Sequence, residues 1–97
     1  MNMPALDHLM GAYLHQDYVL FGETPMAAVS TFLIDEPDLA GPLVNEVEQL
    51  LSTVQDDSDI EETLRAMGCQ IRVDSATGSY RTWLVTIAEK ARATQTP

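Results

Sequence analysis

Apolar residues recur at helical spacing along almost the whole chain. Leu6, Leu9, Met10, Tyr13 and Leu14 fall at i, i+3, i+4, i+7 and i+8. They follow Pro4, which suits a first helical turn because the N–H it lacks would have no partner there. Thr24-Pro25 reads as an N-cap and first helical residue, opening a second helix with Met26, Val29, Phe32 and Leu33 inward. Pro37 should stop it, since proline disfavours helical geometry in the residue before it. A third helix carries its stripe on Leu43, Val47, Leu50, Leu51 and Val54 and turns Asn45, Glu46 and Glu48 outward. Its start falls near Pro37–Pro42, with Gly41-Pro42 readable as a loop or as a first turn.

Ser58-Asp59-Ile60-Glu61 matches a capping box, in which Ser58 accepts from the backbone and Glu61 reaches back. The short helix behind it places Ile60, Leu64 and Met67 inward and closes at Gly68, a natural left-handed cap. Cys69, Ile71 and Val73 then alternate with Gln70 and Arg72. A lone strand cannot form a sheet, so Cys69–Val73 reads as an extended connector packed on the core. After a turn at Asp74–Gly78, Ser79 caps a fifth helix whose stripe is Tyr80, Trp83, Leu84, Ile87, Ala88 and Ala91. The polar tail after Arg92 is expected to fray. These elements predict an all-α fold: a compact bundle of about five short helices around one core of Leu9, Tyr13, Phe32, Val47, Leu50, Leu51, Trp83 and Ile87. With 97 residues, 45% of them hydrophobic, the expectation is a single domain over residues 1–97.

Charge changes the picture. Thirteen Asp and Glu precede Arg65, the first Lys or Arg, and two acids and five bases follow it, for a net charge of −10. A cation-free stretch of that length cannot neutralise itself locally and must project a negative potential. Solubility explains part of this. The asymmetry keeps a partner-binding reading open, and it argues against direct binding to nucleic acid, which needs cations to displace counterions. No apolar run is long enough to span a membrane. A secretion signal with a basic n-region is not expected, and a lone cysteine, Cys69, fits a reducing compartment, so the expected location is the cytoplasm.

Candidate chemistry is sparse. His8 and His15 lie two helical turns apart, too far to share a metal at i, i+4 spacing. His15-Gln16-Asp17 could pair an imidazole with a carboxylate, but no motif ties a nucleophile to it, and nothing next to Cys69 supplies the charge that would activate a thiolate. The alternating acids from Asp57 resemble a calcium loop until Glu62 stands where glycine is required and Gly68 where a bidentate glutamate is required. No glycine-rich phosphate loop is present. The sequence therefore predicts no catalytic residue, no metal and no cofactor: a binding protein and not an enzyme.

The order of these pieces resembles a known family. A first helix running into Leu14-His15-Gln16-Asp17-Tyr18, then Gly22 and a proline-capped helix to Phe32, is similar to the opening of the small helical immunity proteins of the CdiI type, from contact-dependent growth inhibition systems. The similarity continues through Asn45-Glu46-Val47-Glu48-Gln49-Leu50-Leu51 and Leu64-Arg65-Ala66-Met67-Gly68-Cys69 to the Trp83-Leu84 helix, covering roughly Leu6 to Ala91. The resemblance implies a cytoplasmic immunity protein that binds, one to one, the toxic C-terminal domain of a CdiA-type effector. Such toxins are commonly nucleases, often directed at tRNA. An acidic protein is a suitable plug for the basic cleft of a nuclease. The alternative is an acidic helical adaptor or anti-regulator that occupies the basic surface of a nucleic-acid-binding protein.

Helices commit one face to the core, so loops and helix ends remain for a partner. The expected contact residues are Asp17 and Glu23 in the first loop, Asp35, Glu36 and Asp38 in the second, and Asp56, Asp57 and Asp59 before the fourth helix. Tyr18 and Phe21 lie in the first loop, where each could pack on the core or serve as an apolar anchor.

Overall fold

The computed structural model describes residues 3–14, 24–71 and 78–95. Within them the chain forms five α-helices and no strand. Helix α1 (Pro4–His8) runs directly into a π-helical turn (Leu9–Tyr13), closed by the Leu14 amide donating to Leu9 O at 3.0 Å. Leu6, Leu9, Met10, Tyr13 and Leu14 are all buried, as their spacing predicts. Helix α2 (Pro25–Asp35) begins as expected: Thr24 Oγ1 accepts the Ala27 amide at 3.1 Å, with Pro25 first in the helix. It ends before Pro37, which opens a 3-10 turn (Pro37–Leu39) leading into α3 (Ala40–Thr53). Gly41-Pro42 is thus part of a helical first turn.

Helix α3 lies against both α1 and α5, and α5 (Tyr80–Gln95) also touches α2 and α4 (Asp57–Ala66), so the α3–α5 pair is the spine of the bundle. Buried Val29, Phe32, Leu43, Val47, Leu50, Ile60, Leu64, Leu84 and Ile87 fill the space between them. Leu51 and Trp83, expected in the core, are instead half-buried at its edge, as are Met26, Val54 and Met67. Trp83 stacks edge-on against Tyr80, with centroids 6.2 Å apart, which holds one part of its ring while leaving the rest accessible.

Two local readings are corrected. The fourth helix is capped by Asp56 and not Ser58: Asp56 Oδ1 accepts the Ser58 amide at 3.2 Å and its hydroxyl at 3.1 Å. Glu61 does not reach back; it accepts from Arg65, one turn ahead, at 2.7 and 2.9 Å. An aspartate two residues earlier is the better anionic cap, and the i,i+4 arginine offers Glu61 a charged partner that the helix start lacks. Glu46, expected outward, is buried. It points at the N-terminus of α1, where its carboxylate takes the amides of Ala5 and Leu6. Those donors have no intrahelical partner, and a carboxylate is the strongest acceptor available for them.

The end of α4 matches its expectation. Gly68 has φ +104°, the Cys69 amide donates to Leu64 O at 3.1 Å, and the Gly68 amide donates to Arg65 O at 3.0 Å. This is the two-bond Schellman closure. Space demands glycine here as well: a Cβ on Gly68 would lie 3.0 Å from Gly11 Cα in the π-turn. Beyond it, Cys69 and Ile71 are buried in a segment of no regular secondary structure. The Gln70 amide donates to Leu14 O at 2.9 Å and the Tyr80 hydroxyl to Ile71 O at 3.0 Å. Arg72 and Val73, the remainder of the expected connector, lie outside the described residues. Ser79 caps α5 as expected, its hydroxyl accepting the Thr82 amide at 3.1 Å.

Candidate partner-binding surface

Of the ten expected contact residues, Asp17, Tyr18, Phe21 and Glu23 lie outside the described residues. The other six form two clusters at opposite ends of α3. Fourteen residues of helix separate them, a rise of about 20 Å. They differ in what they do for the fold.

The cluster at the start of α4 is largely absorbed by capping. Asp56 holds Ser58, and Asp57 Oδ1 accepts the Arg81 amide at 3.0 Å, closing the first turn of α5. Arg81 in turn sends its guanidinium to the carbonyls of Val54 at 2.7 Å, Leu51 at 3.2 Å and Gln55 at 3.4 Å, at the C-terminus of α3. Three helix ends therefore meet at this one corner, and acids at a helix N-terminus are favoured by the helix dipole. Asp59 is exposed, and its carboxylate has no partner among the described residues.

The cluster at the α2–α3 corner has a different character. Asp35 and Glu36 sit at the C-terminus of α2, where the dipole already concentrates negative charge, so each works against the helix. Asp35 is exposed, and its Oδ2 accepts the Tyr13 hydroxyl at 2.9 Å. Glu36 is half-buried, 3.8 Å from His8 Nε2. His8 lies edge-on to Tyr13, with centroids 5.8 Å apart, and Tyr13 lies edge-on to Phe32 at 5.3 Å. Burial, and then the neighbouring Asp35, push the Tyr13 hydroxyl above the ordinary tyrosine range. Asp38 is exposed, without a side-chain partner among the described residues. Of the six described candidates, Asp38 here and Asp59 at the other corner are exposed without a side-chain partner among the described residues, whereas Asp35 and Glu36 also engage Tyr13 and His8.

The structure adds an element that the sequence reading did not single out. Beside this corner, the C-terminal ends of α2 and α5 frame an open groove of about 440 Å³. Ile34 stands at its lip, 78% exposed. Its signal in the sequence is an isoleucine off the inward stripe of Phe32 and Leu33, set directly before Asp35-Glu36-Pro37-Asp38.

Cys69 is 1% exposed. Burial pushes its thiol above the ordinary range, the opposite of what a nucleophile requires. Among the described residues no three His, Cys, Asp or Glu side chains are placed to hold a metal ion, and no helix is long and apolar enough to cross a membrane.

Comparison with known proteins gives one answer. Residues 2–91 match the family described as CdiI immunity protein, and the chain belongs to that family. It is therefore an immunity protein whose partner is the toxin of a contact-dependent growth inhibition system. No curated protein and no solved structure gave a match.

Proposed function

We propose that this protein neutralises its cognate toxin by binding the toxin's C-terminal domain one to one, in the cytoplasm, and that the toxin is a nuclease, with tRNA a candidate substrate. No catalysis by the immunity protein is involved. The observation that carries the reading is the charge distribution: an immunity protein whose first 64 residues hold thirteen acids and no Lys or Arg. A nuclease gathers a polyanion with a basic cleft, and the same cleft attracts an anionic protein. The outward carboxylates Asp35, Asp38 and Asp59 support docking by such a surface. Asp56 and Asp57 contribute to the field while serving as caps.

The test is to co-produce the cognate toxin domain with the protein and purify the complex. Its stoichiometry is then measured by light scattering, and tRNA and DNA are incubated with the toxin domain before and after the immunity protein is added. A one-to-one complex with nucleolytic activity abolished on binding is the expected result. A toxin domain that cleaves neither substrate when free would refute the nuclease assignment.

A further inference from the structure

We infer that the groove between the C-terminal ends of α2 and α5, with Ile34 at its lip, is the seat for an apolar side chain of the cognate toxin domain carried between basic residues; this rests on the toxin-binding reading above. Ile34 and Val85 are the large apolar side chains left exposed among the described residues, Ile34 at 78% and Val85 at 40%. Ile34 contributes almost no burial to folding, so its apolar surface has no use within the bundle. Beneath it, Leu33, Pro37 and Ala93 give the groove an apolar lining. Its hydroxyls donate within their own helices: Ser30 Oγ to Met26 O at 3.3 Å and Thr94 Oγ1 to Lys90 O at 3.1 Å. What those oxygens still offer a partner is acceptor capacity.

The surroundings select the partner's charge. Asp35 and Glu36 follow Ile34 at a helix end that disfavours them, and Asp38 follows Pro37 of the groove. Asp35, Glu36 and Asp38 adjoin groove residues in the chain without lining the groove, and with the hydroxyl acceptors they complement an apolar residue flanked by Lys or Arg. Lys90, on the α5 wall, then faces a carbonyl or carboxylate of the partner and sets its orientation. A second copy of this chain is a poor occupant, since each copy carries −10 and would bring acid to acid. Interfaces commonly have this anatomy: an apolar centre that holds affinity inside a charged rim that guides approach.

The test is the affinity of the catalytically inactivated cognate toxin domain for the protein and for three variants, measured by calorimetry. Ile34→Glu and Ala93→Arg change the groove from two different helices at exposed positions, so neither threatens the core. Val85→Glu makes the same kind of change away from it. Each groove variant should lose at least about tenfold in affinity, a loss typical of an interface hot spot, while Val85→Glu binds within about threefold of the parent. A loss below tenfold in either groove variant, or an equal loss in Val85→Glu, overturns the inference and leaves toxin binding intact. A parent protein that does not bind the toxin domain overturns both readings. A dimer of the free protein that Ile34→Glu dissolves would assign the groove to a second copy and also overturn the inference.

Discussion

Glu46 caps a helix that begins forty-two residues before it: its Oε1 accepts the Leu6 amide at 2.8 Å, and Oε2 accepts the Ala5 amide at 3.2 Å. The pair ties the N-terminus of α1 to the middle of α3. Glu46→Ala would leave two buried donors without partners and should cost about 2–3 kcal/mol, as charge-assisted hydrogen bonds do. Glu46→Gln keeps one acceptor and should cost roughly half as much. Urea unfolding of both variants distinguishes them; a loss below about 0.5 kcal/mol for Glu46→Ala would remove the cap from the fold's support.

Arg81 joins three helix ends, its amide on Asp57 and its guanidinium on the last carbonyls of α3. Arg81→Ala should lower stability by about 1–3 kcal/mol. The three carbonyls converge on one guanidinium nitrogen, Nη2, so Arg81→Lys, with three N–H donors on a shorter stem, should recover part of this. Thermal melts of the two variants side by side read the difference.

Gly68→Ala meets two obstacles, a φ of +104° and the Gly11 backbone 3.0 Å from the new Cβ. The substitution should cost at least about 1–3 kcal/mol. Cys69, next in the chain, is buried with its thiol held protonated by desolvation. A thiol reagent at pH 7–8 should label it only as fast as the protein opens, and rapid labelling of the folded state would contradict its placement.

Tyr13 gives the protein an alkaline limit. Its hydroxyl is buried and bonded to Asp35, so its folded pKa lies above the unfolded one. The folded state therefore holds the phenolic proton more tightly than the unfolded chain does. This stability is complete below about pH 10 and is lost as pH rises through the folded value. Tyr13→Phe should cost about 1 kcal/mol at neutral pH and flatten the decline above pH 10. An identical alkaline profile in the variant would show that another group sets it.

What could be read from the sequence was local. Thr24-Pro25 and Gly68 act within one helical turn, so their roles stand in the residues beside them. Glu46 defeated the periodicity argument because its partners, Ala5 and Leu6, approach from another helix. A helical wheel sees only that a carboxylate belongs in water. Ser58 and Asp56 competed for the same cap, and the choice fell to geometry that spacing does not encode. Trp83 lies on the apolar stripe of α5, yet at the edge of the packed surface. The two acidic corners look alike in composition. They separate only once Asp57 is seen closing α5 and Asp35 is seen at a helix end that repels it.

The most direct test of toxin neutralisation through an acidic surface is the association rate constant of the cognate toxin domain, followed by stopped flow as ionic strength rises from about 0.05 to about 0.5 M, where screening becomes shorter than 10 Å. The rate constant should fall at least tenfold across that range, and charge reversal at Asp35 and Asp38 to Lys should flatten the dependence. A rate constant that changes less than twofold with salt would contradict electrostatic docking and leave the acidic residues as surface charge alone.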